Sequence, residues 1–248
     1  MTETPFIDIS PTLRILGTAH VSTASVEAVR EQISTYQPER VAVELCDSRH
    51  QALTSDRRLD KEGLLKVVKE GKAPLVLLQS LLAAEQRKMG LDEGQQPGAE
   101  LLAAVQEAEA AELEVALIDR DIQTTLRRAW KKMRFREKVR ILWSLLGDDE
   151  DEDAPEVNEL LEDQDLLTSL MEELRTFSPG AGLVLIDERD SYLAGKLALL
   201  HEDEKKTLAV VGAGHLKGIE KHLLEQSMPN KSSLDDLNQP PVRGRFSK

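Results

Sequence analysis

A chain of 248 residues with 40% apolar content has room for one sizeable core, or one core carrying an insertion. A formal net charge of −13 argues against nucleic acid as the main partner, and 3% aromatics leave few rings for stacking bases or sugars. The lone Cys46 rules out an internal disulfide and suits a reducing compartment.

No apolar run approaches the roughly 20 residues of a membrane helix, and the opening MTETPFIDIS has no basic or apolar signal region, so a soluble, cytoplasmic domain is expected. The first strand is read in 13–20, LRILGTAH, where an apolar run stops at Gly17 and His20 follows. The same pattern returns at 208–215, LAVVGAGH, with Gly212 and His215. With 5 His and 14 Gly, chance gives roughly 0.3 G-x-x-H matches. Two matches, each behind a strand-length apolar run, bring two imidazoles to the rim of a sheet, where α/β proteins bind ligands. The plain alternative is two strand-end histidines satisfied by backbone groups.

After His20 the pattern is helical: Ser22 suits an N-cap, Glu27 an early turn, and Val26, Val29 and Ile33 share a face. Pro38 closes it, and 41–46, VAVELC, reads as a strand with Val41, Val43 and Leu45 on one face and Ala42, Glu44 and Cys46 on the other. Strand, helix, strand over about 35 residues predicts a parallel βαβ unit. Glu44 then stands on the same rim as His20, as a metal ligand or general base, or as a carboxylate paired with Arg49.

Residues 48–72 are charged and helical in character, 74–89 read as an amphipathic helix, and 90–98 as a loop. Pro97-Gly98 then precedes a helix with Glu100 in its first turn, favourable to the macrodipole, and Leu101, Leu102, Val105 and Ala108 on its buried side. A buried strand at 115–118 ends in Asp119-Arg120-Asp121, either an ion-pair knot or a set that orients a histidine or holds a substrate.

Residues 127–140, RRAWKKMRFREKVR, carry eight basic side chains and one Glu, and the acidic run 148–153 follows. A solvated basic face balanced by an acidic linker is one reading; pairing with a second copy or lying on anionic lipid is another. Residues 159–177 read as an amphipathic helix, broken at Pro179-Gly180. Residues 182–200 fit a helix better than a strand, with Leu183, Ile186, Leu193 and Leu197 as the stripe. Asp190 falls inside that stripe, where a carboxylate needs a partner, beside Glu188 and Arg189. Gly212, Gly214 and Gly218 bracket His215 and allow close backbone approach, in a spacing that fits neither the dinucleotide fingerprint nor the P-loop. Residues 229–248 are polar and non-periodic, a tail or linker. The expected architecture is α/β: a central, mostly parallel sheet flanked by helices, in one domain over 1–228, with a helical insertion at about 123–178 and an acidic linker at 148–155.

LGTAHVS at 16–22, VAVELC at 41–46, PGAELLAA at 97–104, LIDRDIQTTLRRAW at 117–130, DERDSYLA at 187–194 and VVGAGHLKGI at 210–219 together resemble the TraB/PrgY-like pheromone-shutdown family. That family is related to the Tiki metalloproteases and more distantly to erythromycin esterases (EreA) and ChaN-type proteins. The resemblance implies a divalent-metal-dependent peptidase, with manganese or cobalt favoured and zinc or iron possible, on an EreA/ChaN-like fold. His20, His215 and Glu44 fall on the family's motifs as metal-binding and catalytic residues. Asp190, singled out by its place in the apolar stripe, is a further candidate ligand. Gly17, Arg49, Glu100, Asp119, Arg120, Asp121, Glu188, Arg189, Gly212 and Gly214 are the expected supporting or substrate-binding residues. It also implies a peptide partner, and a membrane anchor beyond the tail; a homodimer is a further possibility. The alternative is a regulatory domain that binds a peptide without cutting it.

Overall fold

The computed structural model describes residues 4–18, 23–54, 99–144, 172 and 174–241. His20, Ser22, the helix read at 74–89, the loop at 90–98, the acidic run 148–153 and most of the helix read at 159–177 lie outside them.

Among the described residues five strands form one sheet: β1 (Phe6–Ser10), β2 (Leu13–Thr18), β3 (Arg40–Val43), β4 (Glu114–Leu117) and β5 (Thr207–Gly212), in the order β1-β2-β5-β3-β4. β2, β5, β3 and β4 are parallel, and β1 is an antiparallel edge. The expected α/β class with a mostly parallel sheet is what forms. β2 and β3 run parallel as the βαβ spacing predicts, but β5 inserts between them.

The three inner strands are buried on both faces, as parallel strands covered by helices must be. Helices α1 (Thr23–Tyr36) and α3 (Ala99–Ala110) cover one face, where Leu16, Val41, Val43, Leu45, Leu208 and Val210 pack with Val29, Leu101, Ala104, Val105 and Ala108. On the other face Leu13, Ile15, Ala42, Ala209 and Val211 meet Leu193 and Leu197 of α7 (Glu188–His201) and Leu216 and Ile219 of α8 (Ala213–Leu224). The period-two alternation predicted for 41–46 is the division between these two cores. The strand itself ends at Val43, so Glu44 begins the loop beyond it.

The remaining helices are α2 (Asp47–Thr54), α4 (Ile122–Lys132), α5 (Phe135–Ser144), the short α6 (Pro179–Gly182) and α9 (Lys231–Leu237). Between α6 and α7 the chain makes a π-helical turn, Leu183–Asp187, whose ladder is closed by the Glu188 N–H on the Leu183 carbonyl. Residues 182–200 are therefore helical, as the stripe predicts. The extra residue of the π turn shifts the phase, however, so Leu183 is 41% exposed while Ile186, Asp190, Leu193 and Leu197 share the buried face.

MTETPFIDIS, to which the sequence assigns no element, carries strand β1. The tail expected at 229–248 is corrected in its first part. The segment from Pro229 carries α9, capped by Asn230 and docked through buried Leu234 against Gly195.

Candidate functional site

The chain leaves β2 and β3 toward the helices on one face and leaves β5 toward α8 on the other. The C-terminal rim between them is a topological switch point, where open α/β sheets hold ligands. Five side chains gather there. Glu44 arrives one residue past β3. Asp119 arrives two past β4. Arg189 and Asp190 come from the first turn of α7, directly after the π turn. His215 is the third residue of α8, which starts as soon as β5 ends.

His215 Nδ1 is 2.5 Å from Asp190 Oδ1, and both side chains are buried. With a carboxylate at Nδ1 and a guanidinium at Nε2, the matching tautomer has Nδ1–H donating to Asp190 and the Nε2 lone pair facing Arg189. Nε2 lies 3.0 Å from Arg189 Nη1, a donor, and 3.7 Å from Glu44 Oε1. Arg189 Nη2 donates to Glu44 Oε1 and, at 2.6 Å, to Asp119 Oδ2. The other Glu44 oxygen accepts the Gly212 N–H at 2.7 Å, which places the carboxylate at the positive end of α8.

Three carboxylates thus surround one guanidinium and one imidazole. Glu44, Asp119 and Asp190 side chains are 6, 8 and 6% exposed, so water does little to offset their charge. Burial pushes the Asp190 carboxyl above its ordinary range, against the downward pull of His215. Burial also pulls the Arg189 guanidinium down, but Glu44 and Asp119 outweigh it and raise it further.

Close packing holds the geometry. A Cβ on Gly218 would fall 1.9 Å from Asp190 Oδ2, so only glycine lets α7 and α8 approach enough for the Asp190–His215 contact. A Cβ on Gly17 would meet Ala213 Cα and Leu216 Cδ2 at 3.2 Å, so the first G-x-x-H glycine makes room for the helix that carries the second histidine. Gly212 has φ −60° and only ordinary contacts around a built Cβ; it serves through its N–H.

The other expected residues have different places. Arg120 is buried and pairs with Glu188 at 2.6 Å, with Thr125 and the Val184 and Leu237 carbonyls as further acceptors. Arg128 makes two 2.8 Å bonds to the same Glu188. Burial pushes the Glu188 carboxyl up, and the two arginines overcome it and hold it low. This is an ion-pair knot that ties α4 and α9 to α7. Asp121 caps α4 through the N–H groups of Gln123 and Thr124 and accepts from Ser48 Oγ at 2.7 Å. Glu100 is buried in the first turn of α3, Arg49 is half buried on α2, and Gly214 lies in the first turn of α8. Asp190 lies on the far side of the imidazole from Nε2 and orients it. Gly218, expected from the sequence to allow close backbone approach beside His215, does so toward Asp190 and belongs to the site, three residues after His215 on the same helical face.

Among the described residues no group of three or more His, Cys, Asp or Glu side chains is set to hold a metal, and the Arg189 guanidinium lies among the carboxylates. The donors suit a divalent ion in kind: an oriented imidazole nitrogen and two carboxylates in excess of the local positive charge. Among the described residues no helix is long and apolar enough to cross a membrane.

The sequence profile of the TraB/PrgY/gumN family matches residues 9–227. An uncharacterised protein of Methanocaldococcus jannaschii is 38% identical over 226 residues, covering 90% of this chain and 56% of its own length. A human TraB domain-containing protein is 30% identical over 260 residues, covering 94% of this chain and 68% of its own, and a mouse protein of the same description matches equally. The chain thus spans little more than half the length of the archaeal relative and about two thirds of the mammalian ones.

Proposed function

The chain belongs to the TraB/PrgY/gumN family, and we propose that its rim site is the centre of a divalent-metal-dependent hydrolase acting on a peptide. The observation that carries this is the buried carboxylate surplus beside an imidazole whose Nδ1 is fixed by Asp190. His215 Nε2 and Glu44 would hold the ion, together with His20, which the sequence motif places on the same rim.

A bound divalent ion would polarise a scissile carbonyl and acidify a water. The protein's own groups do the rest. Asp190 keeps the proton on Nδ1 and so keeps Nε2 a donor of electrons. Glu44, anchored on the Gly212 N–H, orients the water and accepts its proton. Arg189, held by Asp119, sits within reach of negative charge that develops at the carbonyl oxygen. The peptide class of substrate rests on the family resemblance drawn from the sequence motifs.

Metal analysis and titration calorimetry with Mn²⁺ test the site. The wild type should take up a divalent ion, and His20→Ala and His215→Ala should each lose it while circular dichroism stays unchanged. Full retention by both variants sinks the assignment.

One observation favours the second reading, a domain that captures a peptide without cutting it. Arg189 already links Glu44, Asp119 and His215, so a peptide could be held by polar contacts with the ion network closed. Incubation with a peptide library and Mn²⁺, followed by mass spectrometry for new termini, separates the two: new termini support the hydrolase, and binding without them supports capture.

A further inference from the structure

The α4–α5 elbow carries a second surface, far from the rim in its chemistry. Trp130 is 54% exposed and Phe135 79%, in a chain with only eight aromatic residues in total outside histidine. Around them Arg127, Lys131, Lys132, Arg134, Arg136 and Arg140 are also exposed. Arg127, Trp130 and Lys131 follow helical spacing along one side of α4, and Arg134 lies in the elbow just beyond it. The one acid of the segment, Glu137, is turned inward and satisfied by the Arg134 N–H, Ser178 Oγ and the Gly180 N–H. Those same bonds clamp the elbow to the start of the α6–α7 helix. The result is a strongly basic patch, studded with rings, on a protein whose net charge is −13.

The rings are arranged for a lipid interface. Lys138 Nζ stands 5.2 Å from the centre of the Trp130 ring, and Arg140 Cζ the same distance from Phe177, itself 38% exposed. Two of the three rings therefore have one face taken by a cation, which leaves them poor platforms for stacked bases. Phe135 protrudes with most of its surface in water. No described contact within the fold accounts for that cost, whereas insertion below a headgroup layer does. Trp, Phe and snorkelling Lys and Arg side chains form the composition that seats at the boundary of an anionic bilayer.

We propose that the 127–140 face docks on anionic membrane surface, with Phe135 and Trp130 entering the interface and the surrounding Lys and Arg side chains pairing with lipid phosphates and carboxylates. Each basic group near such a surface adds to the attraction, and the contribution fades within a Debye length. This inference is independent of the chemistry at the rim.

The test is co-sedimentation of the full 248-residue chain with vesicles of phosphatidylcholine alone and of phosphatidylcholine with 30% phosphatidylserine. The expected result is at least about tenfold tighter partitioning onto the anionic vesicles, lost when salt is raised from about 0.1 to 0.5 M. Trp130→Ala/Phe135→Ala should weaken binding by about tenfold or more with an unchanged circular dichroism spectrum, since two exposed rings leave the fold without loss. Arg134→Glu/Arg136→Glu, at two exposed positions, should abolish it. The proposal is overturned by equal partitioning onto both vesicles, by wild-type binding in the ring variant, or by retention on single-stranded RNA or a salt-sensitive dimer in place of vesicle binding.

Discussion

Two arginines, Arg40 buried and Arg189 half-buried, stand at opposite ends of the sheet, and they differ in what surrounds them. Arg40, at the start of β3, donates to Glu114 at 2.8 Å, to Asp203 at 3.1 and 2.5 Å and to the Leu200 carbonyl at 2.9 Å. Its two carboxylate partners are each 44% exposed. Arg189, at the other end, meets carboxylates that are below 10% exposed, plus an imidazole. Both guanidiniums hold their protons more tightly than usual, Arg40 through its bond to Asp203 and Arg189 through Glu44 and Asp119 against the cost of burial. Where the acids reach water, solvent absorbs the imbalance and the cluster is a brace. Where they do not, the imbalance persists inside the fold, and it is this imbalance that the proposed function assigns to a cation.

The sharpest break of this contrast is a pair of variants. His215→Ala should reduce divalent-ion affinity by at least about a hundredfold, since a direct donor is lost, and should also lower thermal stability because buried Asp190 loses its partner. Arg40→Met should lower stability alone and leave ion affinity unchanged. Losing one partner of a buried pair costs about 3–5 kcal/mol, and here about 2–3, because Glu114 and Asp203 rehydrate. Calorimetry with Mn²⁺ and denaturant unfolding read the two effects. If Arg40→Met weakens ion binding as much as His215→Ala does, the division between brace and site fails.

Gly218→Ala tests the packing behind the imidazole. The new methyl must push Asp190 away, costing about 1–3 kcal/mol and about 10–100-fold in ion affinity as His215 loses its orientation. Gly212→Ala, where a Cβ meets nothing closer than 3.5 Å, should stay within about 1 kcal/mol of the wild type. Equal behaviour of the two alanines would show that the Asp190 contact is not what holds the ring.

Arg189→Met separates competition from support. Removing the guanidinium leaves the enclosed acids unbalanced, so the ion-free protein should melt lower, while Mn²⁺ should bind about tenfold tighter and restore more of the melting temperature than it does in the wild type. Weaker Mn²⁺ binding in this variant would make Arg189 a partner of the ion rather than its rival.

The sequence carried the sheet and the rim because both are written in local patterns. Val41, Val43 and Leu45 alternate with Ala42 and Glu44, and a β strand must send those sets to opposite faces. The second G-x-x-H motif ends a buried strand, and His215 indeed stands at its exit. The position of β5 between β2 and β3 has no local signature, since it depends on which face each crossover covers. The roles within DRD and DER were equally hidden. Asp119 and Arg189 face the site, while Arg120 and Glu188 neutralise each other beside it; for Glu188 and Arg189 that sorting follows the π turn at Leu183–Asp187, which periodicity of 3.6 residues does not announce.

The smallest effect sharpens the comparison from the brace side through pH. Arg40's hydrogen bond holds the Asp203 carboxyl at about 2, below its ordinary 3.8, and Glu114 is lowered by the same arginine and by Lys205. A depressed carboxyl stabilises the fold above its unfolded value and loses that contribution as pH falls through the folded one. Asp203→Asn should therefore melt below the wild type at pH 7, with the gap closing between about pH 4 and pH 2. Because Asp203 is largely solvated, the gap should also shrink in about 0.5 M salt. The ion affinity of the rim, at the other end of the sheet, should match the wild type at pH 7. A gap that stays constant from pH 7 to pH 2 would mean that Asp203 acts through packing and not through its charge, and the brace would then owe its stability to Glu114 and the Leu200 carbonyl alone.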